Sequence, residues 1–135
     1  MKETIFTKIV AGEIPSTKIY EDEYTFAFLD IAPNALGHTL VIPKESFENI
    51  HEIPTDVLAQ VMVTVKKIAT AVKGGLNADG INIFMNNGES AGQEVAHAHF
   101  HVVPRFKGDS FEHGKHVSYE EGEMSKIAEK IKNHL

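Results

Sequence analysis

The sequence predicts an α+β fold, in which a mainly antiparallel sheet of about five strands carries two main helices. Five short runs rich in β-branched and aromatic residues are separated by turn-forming residues, which is typical of strands. Two longer stretches have apolar residues at helical spacing, so each would bury one stripe against the sheet. The 135 residues contain no repeat, low-complexity segment or linker, which predicts a single domain over residues 1–135.

The first half of the chain is expected to form a short helix and three strands. The helix would end at Gly12, and its apolar side consists of Ile5, Phe6, Ile9 and Val10. Strands are predicted at residues 17–20, 24–30 and 38–42. Because the acidic residues 21–23 separate the first two strands, these strands are expected to form a hairpin.

The second half is expected to alternate helices with two strands. A long helix would run from an N-cap at Thr55 to the glycines at 74–75. A strand at 81–85, a polar loop at 86–92 and a fifth strand at 97–103 would follow. Ser118 and Glu121 match a capping box for a closing helix.

Composition and charge exclude several classes of function. The sequence has no cysteine, which excludes disulfides, thiolate metal ligands and a cysteine nucleophile. Its net charge of −6 argues against binding to nucleic acid or to an anionic membrane. No apolar run approaches the roughly 18 residues needed to span a bilayer, and the N-terminus lacks a signal-peptide core. We therefore expect a cytoplasmic protein whose partners are neither nucleic acids nor membranes.

The predicted fifth strand contains three histidines that alternate with apolar residues: His97, His99 and His101. Because successive strand residues point to opposite faces, the three imidazoles would share one face. Close imidazoles lower one another's pKa. A neutral central ring flanked by partly cationic donors would suit attack on a phosphate. A metal site with the three histidines as ligands is the main alternative.

Two further segments are candidates for the same site. His38 directly follows Gly37 at the mouth of an apolar strand, where a surface or capping role is the alternative. The loop at 86–92 could direct backbone N–H groups and the Gln93 side chain toward an anion, or it could be a plain connector. The remaining histidines are expected to be solvated at the surface: His51, His113, His116 and His134.

The segment from His97 to Val103 resembles the His-φ-His-φ-His-φ-φ signature of the histidine-triad (HIT) nucleotide-binding proteins, in which φ is apolar. The resemblance extends over about residues 4–108, with the landmarks in the family's order. These landmarks are Ile5-Phe6, Gly12-Glu13-Ile14-Pro15, Phe28-Leu29-Asp30-Ile31-Ala32-Pro33, Gly37 to Lys44, Asn86-Asn87-Gly88 and Ala91-Gly92-Gln93. The resemblance implies a HIT-like fold, a purine nucleotide substrate, no cofactor and a homodimer that joins two sheets edge to edge.

The resemblance also implies a two-step reaction at the α-phosphate. His99 would attack the α-phosphorus of a nucleoside phosphoramidate, a nucleotide-linked small molecule or a dinucleoside polyphosphate. Water would then hydrolyse the nucleotidyl-histidine. His101 would hydrogen-bond the phosphate, and the His97 backbone would orient the His99 ring. His38 would complete the proton network.

The same resemblance implies a set of nucleotide-binding residues. Asp30 would hold the ribose hydroxyls, although a turn residue before Pro33 is an alternative for it. Phe6, Ile9 and Ile31 would form apolar walls around the base, with ordinary core packing as the alternative. The other predicted binding residues lie in or beside the polar loop: Asn86, Gly92 and Gln93.

The chain departs from the family pattern at a few positions. Thr4 and Thr7 stand where many bacterial members have Cys-x-x-Cys, and Ser46 stands where they have a histidine. These changes remove ligands that would accompany His97 in a structural zinc site, so we expect no metal there. Glu94 replaces a serine or threonine beside the leaving group, and its carboxylate would repel phosphate oxygens.

Two other classes of function stay open at this point. A metal-dependent hydrolase would use the histidine row as ligands and would lose activity to a chelator. A nucleotide-sensing protein would keep the pocket without turnover.

Overall fold

A computed structural model describes residues 2–109 and 115–135, so the predicted surface position of His113 lies outside the described residues. Five strands form a single sheet with two main helices, which confirms the predicted α+β class. In chain order the elements are α1 (Ile5–Val10), β1 (Lys18–Glu21), β2 (Thr25–Leu29), β3 (Thr39–Pro43), α2 (Thr55–Leu76), β4 (Gly80–Phe84), β5 (Phe100–Arg105) and α3 (Glu123–Lys132), with a 3₁₀ turn at Glu89–Ala91.

The strands follow the order β1-β2-β3-β5-β4, and all four pairings are antiparallel. β1 and β2 form the predicted hairpin. In the centre of the sheet, His101 of β5 stands opposite Leu40 of β3 on one side and Phe84 of β4 on the other. Because opposite residues of paired strands share a face, the face of Leu40 is also the face of His101.

The sheet buries apolar residues on both faces. One face packs against α2 and α3 in a core that includes Leu29, Val41, Val61, Val65, Ile68, Val102, Ile127 and Ile131. The other face packs against α1 in a second cluster made of Phe6, Phe26, Phe28, Leu40 and Ile42. The alternation of Leu40, Val41 and Ile42 between these clusters follows from the period of two in a strand. The short helix α1 therefore covers the face that carries His101.

Helix α2 differs from the prediction at both ends. Pro54 is its N-cap and makes no side-chain cap bond, and Thr55 is the first helical residue. The helix continues through both glycines to Leu76, because Asn77 takes the left-handed conformation (φ 54°) and donates its N–H to the Lys73 carbonyl.

The capping box predicted at Ser118 and Glu121 is wrong. Helix α3 begins at Glu123, directly after Gly122, which has φ 80°. The Glu123 carboxylate accepts the backbone N–H of Glu120, three residues earlier, at 3.0 Å. This contact has the spacing of the predicted bond from Glu121 back to Ser118, but it lies two residues later in the chain. No helix in the described part of the chain is long and apolar enough to cross a membrane.

Strand β5 begins at Phe100, so the predicted strand at 97–103 starts three residues too early. The Pro43 carbonyl, at the end of β3, accepts from the His97 ring at 2.8 Å instead of a backbone N–H. The Ala98 N–H donates to the Phe47 carbonyl. The first two histidines of the row therefore lie on the segment before β5, which the His97 ring and the Ala98 backbone hold in place, and only His101 lies within the ladder.

We predict that Gly75→Ala lowers the free energy of unfolding by about 1–3 kcal/mol, although alanine favours a helix. A Cβ at residue 75 would stand 2.4 Å from the Lys130 carbonyl oxygen, where α2 and α3 cross. Urea denaturation followed by circular dichroism measures the change. Gly80→Ala is the control, because its Cβ would meet nothing within 4 Å. Equal stability of Gly75→Ala and the wild type would contradict the close crossing.

Candidate active site

A cleft of about 460 Å³ opens where β2 ends, β3 begins and β4 meets β5. Six predicted site residues line it: Asp30, His38, Asn86, Gly92, His99 and His101. Five further residues complete the lining: Ala32, Asn34, Phe84, Glu94 and His116.

His97 is buried behind the cleft and is held at both ring nitrogens. Because a carbonyl only accepts, the 2.8 Å contact with Pro43 places a proton on His97 Nε2. The neutral ring then accepts at Nδ1 from the Thr4 hydroxyl, 2.8 Å away. The same hydroxyl accepts the Thr7 N–H in the capping box of α1. The N-terminal helix is thus joined to the histidine row by a hydrogen bond.

His99 has one nitrogen committed and one available. Its Nδ1 lies 2.7 Å from the His97 carbonyl and must donate, so the lone pair of the neutral ring is on Nε2. The ring is 6% exposed and lies edge-on to Phe6 and to His101. The packing and the hydrogen bond hold this ring in one orientation.

His38 and His101 form a directed chain of hydrogen bonds. The Asn34 N–H donates to His38 Nδ1 at 3.0 Å, which leaves the proton of the neutral His38 ring on Nε2. That proton is donated to His101 Nδ1 at 2.9 Å. His101 then carries its own proton on Nε2, a buried atom without a hydrogen-bond partner among the described residues. The chain delivers an N–H donor to the residue that lines the cleft beside His99.

Burial holds all four histidines of the site neutral. It lowers the pKa of His38 to about 4 and that of His101 to about 3, with smaller effects from neighbouring histidines. Burial also lowers the pKa values of His97 and His99. For His99, the carbonyl of His97 and nearby carboxylates oppose the shift without cancelling it. The flanking rings are thus neutral, whereas the sequence suggested partly cationic ones.

Asp30 lies at the rim of the cleft, at the end of β2. One carboxylate oxygen accepts the Ala32 N–H at 2.9 Å, and the other lies 3.7 Å from His38 Nε2. Burial raises the pKa of Asp30 despite the Ala32 N–H. One carboxylate oxygen of Asp30 therefore forms a bond typical of a turn, and the carboxylate also faces the cleft.

The three apolar residues predicted around the base occupy different environments. Phe6 is buried in the α1 cluster and contacts the rings of His97 and His99. Ile9 packs partly against the same cluster. Ile31 is 85% exposed beside Asp30, so core packing does not account for it.

The Gln93 side chain forms hydrogen bonds to the backbone of the polar loop and of neighbouring residues. Gln93 Oε1 accepts the Gly88 N–H at 2.8 Å, and its Nε2 donates to the carbonyls of Glu48 and Val95. The amide oxygen and the amide N–H groups of Gln93 are used in these bonds, and a role for Gln93 at an anion stays a prediction. Asn86 lines the cleft, with its amide 3.5 Å from the Gly92 carbonyl.

Four lining residues were not identified from the sequence as parts of a site: Ala32, Asn34, Phe84 and His116. Phe84 stacks on His101 with centroids 4.4 Å apart and planes 10° apart. Asn34 contributes its backbone N–H to His38. His116, which was assigned to the surface, is exposed but lines the cleft and donates from Nδ1 to the Ala32 carbonyl at 2.8 Å. The sequence pattern predicts strand β4 and the turn at Pro33. Neither feature predicts the register of β4 against β5 or the position of residues 115–119 beside the cleft.

The departures at the expected zinc ligands form hydrogen bonds of their own. Thr4 bonds to the His97 ring, Thr7 exchanges bonds with Thr4 in the capping box, and the Ser46 hydroxyl donates to the Lys2 carbonyl. The absence of a structural zinc site remains a prediction.

The hydrogen bonds also bear on a metal ion inside the cleft. Among the described residues, ligand atoms of Asp30, His38 and His101 lie within 4.8 Å of one another. Because the Asn34 N–H occupies His38 Nδ1, the nitrogen facing the other two groups carries a proton and cannot coordinate. In the histidine row, only Nε2 of His99 offers a lone pair that no hydrogen bond uses. This arrangement favours proton chemistry over the metal alternative.

Comparison with known proteins agrees with the geometry. A family model for the HIT domain matches residues 11–108. The chain is 51% identical over 108 residues to Protein hit of Bacillus subtilis, covering 79% of this chain and 74% of that protein. It is 46% identical over 101 residues to adenosine 5'-monophosphoramidase HNT1 of Saccharomyces cerevisiae, covering 75% of this chain and 61% of that protein.

A solved structure is similar over almost the whole chain. The crystal structure of a Hit-like protein from Bartonella henselae, described as involved in cell-cycle regulation, has a TM-score of 0.86 and 40% identity. The alignment covers 98% of this chain and 97% of that chain. Together with the family match and the identities above, this likeness confirms the resemblance found in the histidine row: the chain belongs to the HIT family.

Proposed function

We propose that the protein hydrolyses purine nucleotide conjugates at the α-phosphate, with His99 as a covalent nucleophile. The observation that carries the proposal is the state of the His99 ring. Its Nδ1–H is fixed on the His97 carbonyl, its pKa is lowered by burial, and its Nε2 keeps a lone pair at the cleft. A neutral, oriented imidazole is what attack on phosphorus requires.

In the first step, His99 Nε2 forms a bond to the α-phosphorus. The bond from phosphorus to the leaving group breaks, and the leaving atom keeps the electron pair and takes a proton from water in the open cleft. The His101 Nε2–H, whose proton is set through His38, is buried beside the cleft, and a small shift of the lining on substrate binding would let it donate to a phosphate oxygen on which charge develops.

In the second step, a water oxygen attacks the same phosphorus and returns its proton to the solvent. The bond between phosphorus and Nε2 breaks, His99 recovers its lone pair, and a nucleoside monophosphate leaves. Over both steps one water molecule is consumed.

In this proposal the residues at the end of β2 place the nucleoside. Asp30 can accept two hydroxyl donors, which suits the ribose. Ile31 is exposed beside it, and a purine ring lying over this residue would cover it. The yeast relative is named an adenosine 5'-monophosphoramidase, which favours phosphoramidates over dinucleoside polyphosphates as substrates.

A homodimer and a cytoplasmic location belong to the same proposal. Strand β4 forms an edge of the sheet, and Ile83 on it is 46% exposed. Pairing of two β4 strands would extend the sheet and cover this edge.

We predict that His99→Ala lowers kcat on adenosine 5'-phosphoramidate by roughly a thousand-fold or more, because the nucleophile is lost. Product formation followed by chromatography measures the rate. Intact-mass analysis of the wild type, quenched during turnover, should reveal an adenylated species that His99→Ala lacks. His51→Ala is the control, because His51 is exposed and does not line the cleft.

Dialysis against EDTA separates the alternatives in the same assay. Unchanged wild-type activity is expected after chelation. Activity that is lost to EDTA and restored by zinc would support the metal-dependent hydrolase, and full activity of His99→Ala would refute the nucleophile. Nucleotide binding without turnover by the wild type would favour the sensing protein.

We predict that the acid limb of kcat/KM lies below pH 6.5, the ordinary pKa of histidine. The attacking ring must be neutral, and its lowered pKa keeps it neutral as the pH falls through 6.5. Initial rates from pH 8 to pH 5, corrected for spontaneous hydrolysis, measure the profile. A limb at or above 6.5 would contradict the role of burial at His99.

A further inference from the structure

The lining of the cleft carries an unusual balance of charge for a protein that binds phosphates. Asp30 and Glu94 contribute carboxylates, and no lysine or arginine occurs in the lining that the structure describes. The imidazoles of His38, His99 and His101 in the lining are neutral because burial lowers their pKa values, and the fourth lining histidine, His116, is exposed. A polyanionic substrate would therefore meet two carboxylates without a permanent cation to balance them.

Glu94 occupies a defined position in this lining. The preceding residue, Gln93, is fixed by three hydrogen bonds to Gly88, Glu48 and Val95, so the backbone that carries Glu94 is held in place. The Glu94 carboxylate is exposed and lines the same cleft as His99 and Asp30; burial is the main cause of the pKa shifts of both groups, and the Glu94 charge acts upward on each as a small further effect. It therefore stands close enough to the nucleophile to act on a group bound there.

The surroundings of Glu94 indicate which part of the substrate it faces. Asp30 stands at the end of β2, whereas Glu94 comes from the loop before the histidine row, on another wall of the cleft. An adjoining groove of about 610 Å³ shares Gly92 and Glu94 with the cleft. If the nucleoside lies at Asp30, the leaving group on the phosphorus extends from the other side of the cleft into this groove. Glu48 and Glu89 line the groove as well, so its charge has the same sign as that of Glu94.

We propose, on the basis of the function above, that Glu94 is a specificity residue that selects nucleoside phosphoramidates whose leaving amine carries a positive charge. The carboxylate attracts a cationic group on the departing chain and repels phosphate, sulfate or carboxylate leaving groups. When the P–N bond breaks, the nitrogen keeps the electron pair and takes a proton from water. The released alkylamine takes a second proton from the solvent and becomes an ammonium ion, which Glu94 also stabilises.

Three matched substrates test the proposal. They are adenosine 5'-phosphoramidates of 1,4-diaminobutane, butylamine and 4-aminobutyrate, which share one P–N bond type and differ in the charge at the far end of the leaving group. For the wild type we expect kcat/KM to fall from the cationic to the neutral to the anionic substrate, by roughly five- to ten-fold at each step. In Glu94→Gln the ratios should fall clearly toward one, and the remaining preference is the part that Glu48 and Glu89 contribute.

Two controls accompany the comparison. Glu13→Gln removes the same charge from an exposed residue outside the cleft and should keep the wild-type ratios. Raising the salt concentration should reduce the ratios of the wild type, because ions screen the attraction. This second measurement depends on no substitution.

The outcomes distinguish this proposal from the function on which it rests. If the wild type cleaves none of the three substrates, the proposed function fails. If it cleaves all three equally well, prefers the anionic one, or keeps its full preference in Glu94→Gln, the role of Glu94 is refuted and the hydrolase remains.

Discussion

One backbone carbonyl, that of His97, determines which nitrogen of the neighbouring His99 ring carries a proton. The 2.7 Å bond from Nδ1 leaves the lone pair on Nε2, and the edge-on ring of Phe6 restricts rotation of the imidazole. The carbonyl itself is placed by the His97 side chain, whose ring is bonded to Pro43 at one nitrogen and to Thr4 at the other. The position of His99 Nε2 therefore depends on contacts from α1, from the end of β3 and from the row itself.

Directed hydrogen bonds also determine the tautomers of His38 and His101. A single backbone N–H at Asn34 sets the tautomer of His38, and His38 sets that of His101. Burial makes this possible, because the lowered pKa values keep each ring neutral and therefore able to accept at one nitrogen and donate at the other. The site therefore provides proton donors and a lone pair, and these rings carry no fixed positive charge. The local electrostatic potential is then determined by the carboxylates of Asp30 and Glu94.

Much of this arrangement could be predicted from the sequence, and the rest depends on distant contacts. The strands, the long helix and the family followed from local periodicity and from a motif with an ordered set of landmarks. The stacking of Phe84 on His101 depends on strand register, which no local pattern gives. His116 reaches Ala32 across 84 positions, and the Gln93 amide bonds to Gly88 and Val95 nearby and to Glu48, 45 positions away; both outcomes depend on how the chain folds back. The late start of β5 has the same origin, since a side chain takes the Pro43 carbonyl.

The bond between Thr4 and His97 has a consequence for the conditions under which this fold keeps its shape. In this chain a hydrogen bond between a hydroxyl and an imidazole joins the N-terminal helix to the histidine row. Neither group is readily oxidised, and a chelator does not break the bond. With no sulfhydryl group anywhere in the sequence, oxidative stress has no thiol to attack at this junction. The hydrogen bond instead requires Thr4 to stay in place beside the histidine row, so a bulky fusion placed directly before the N-terminal helix would disturb His97, which lies 93 positions away in the sequence.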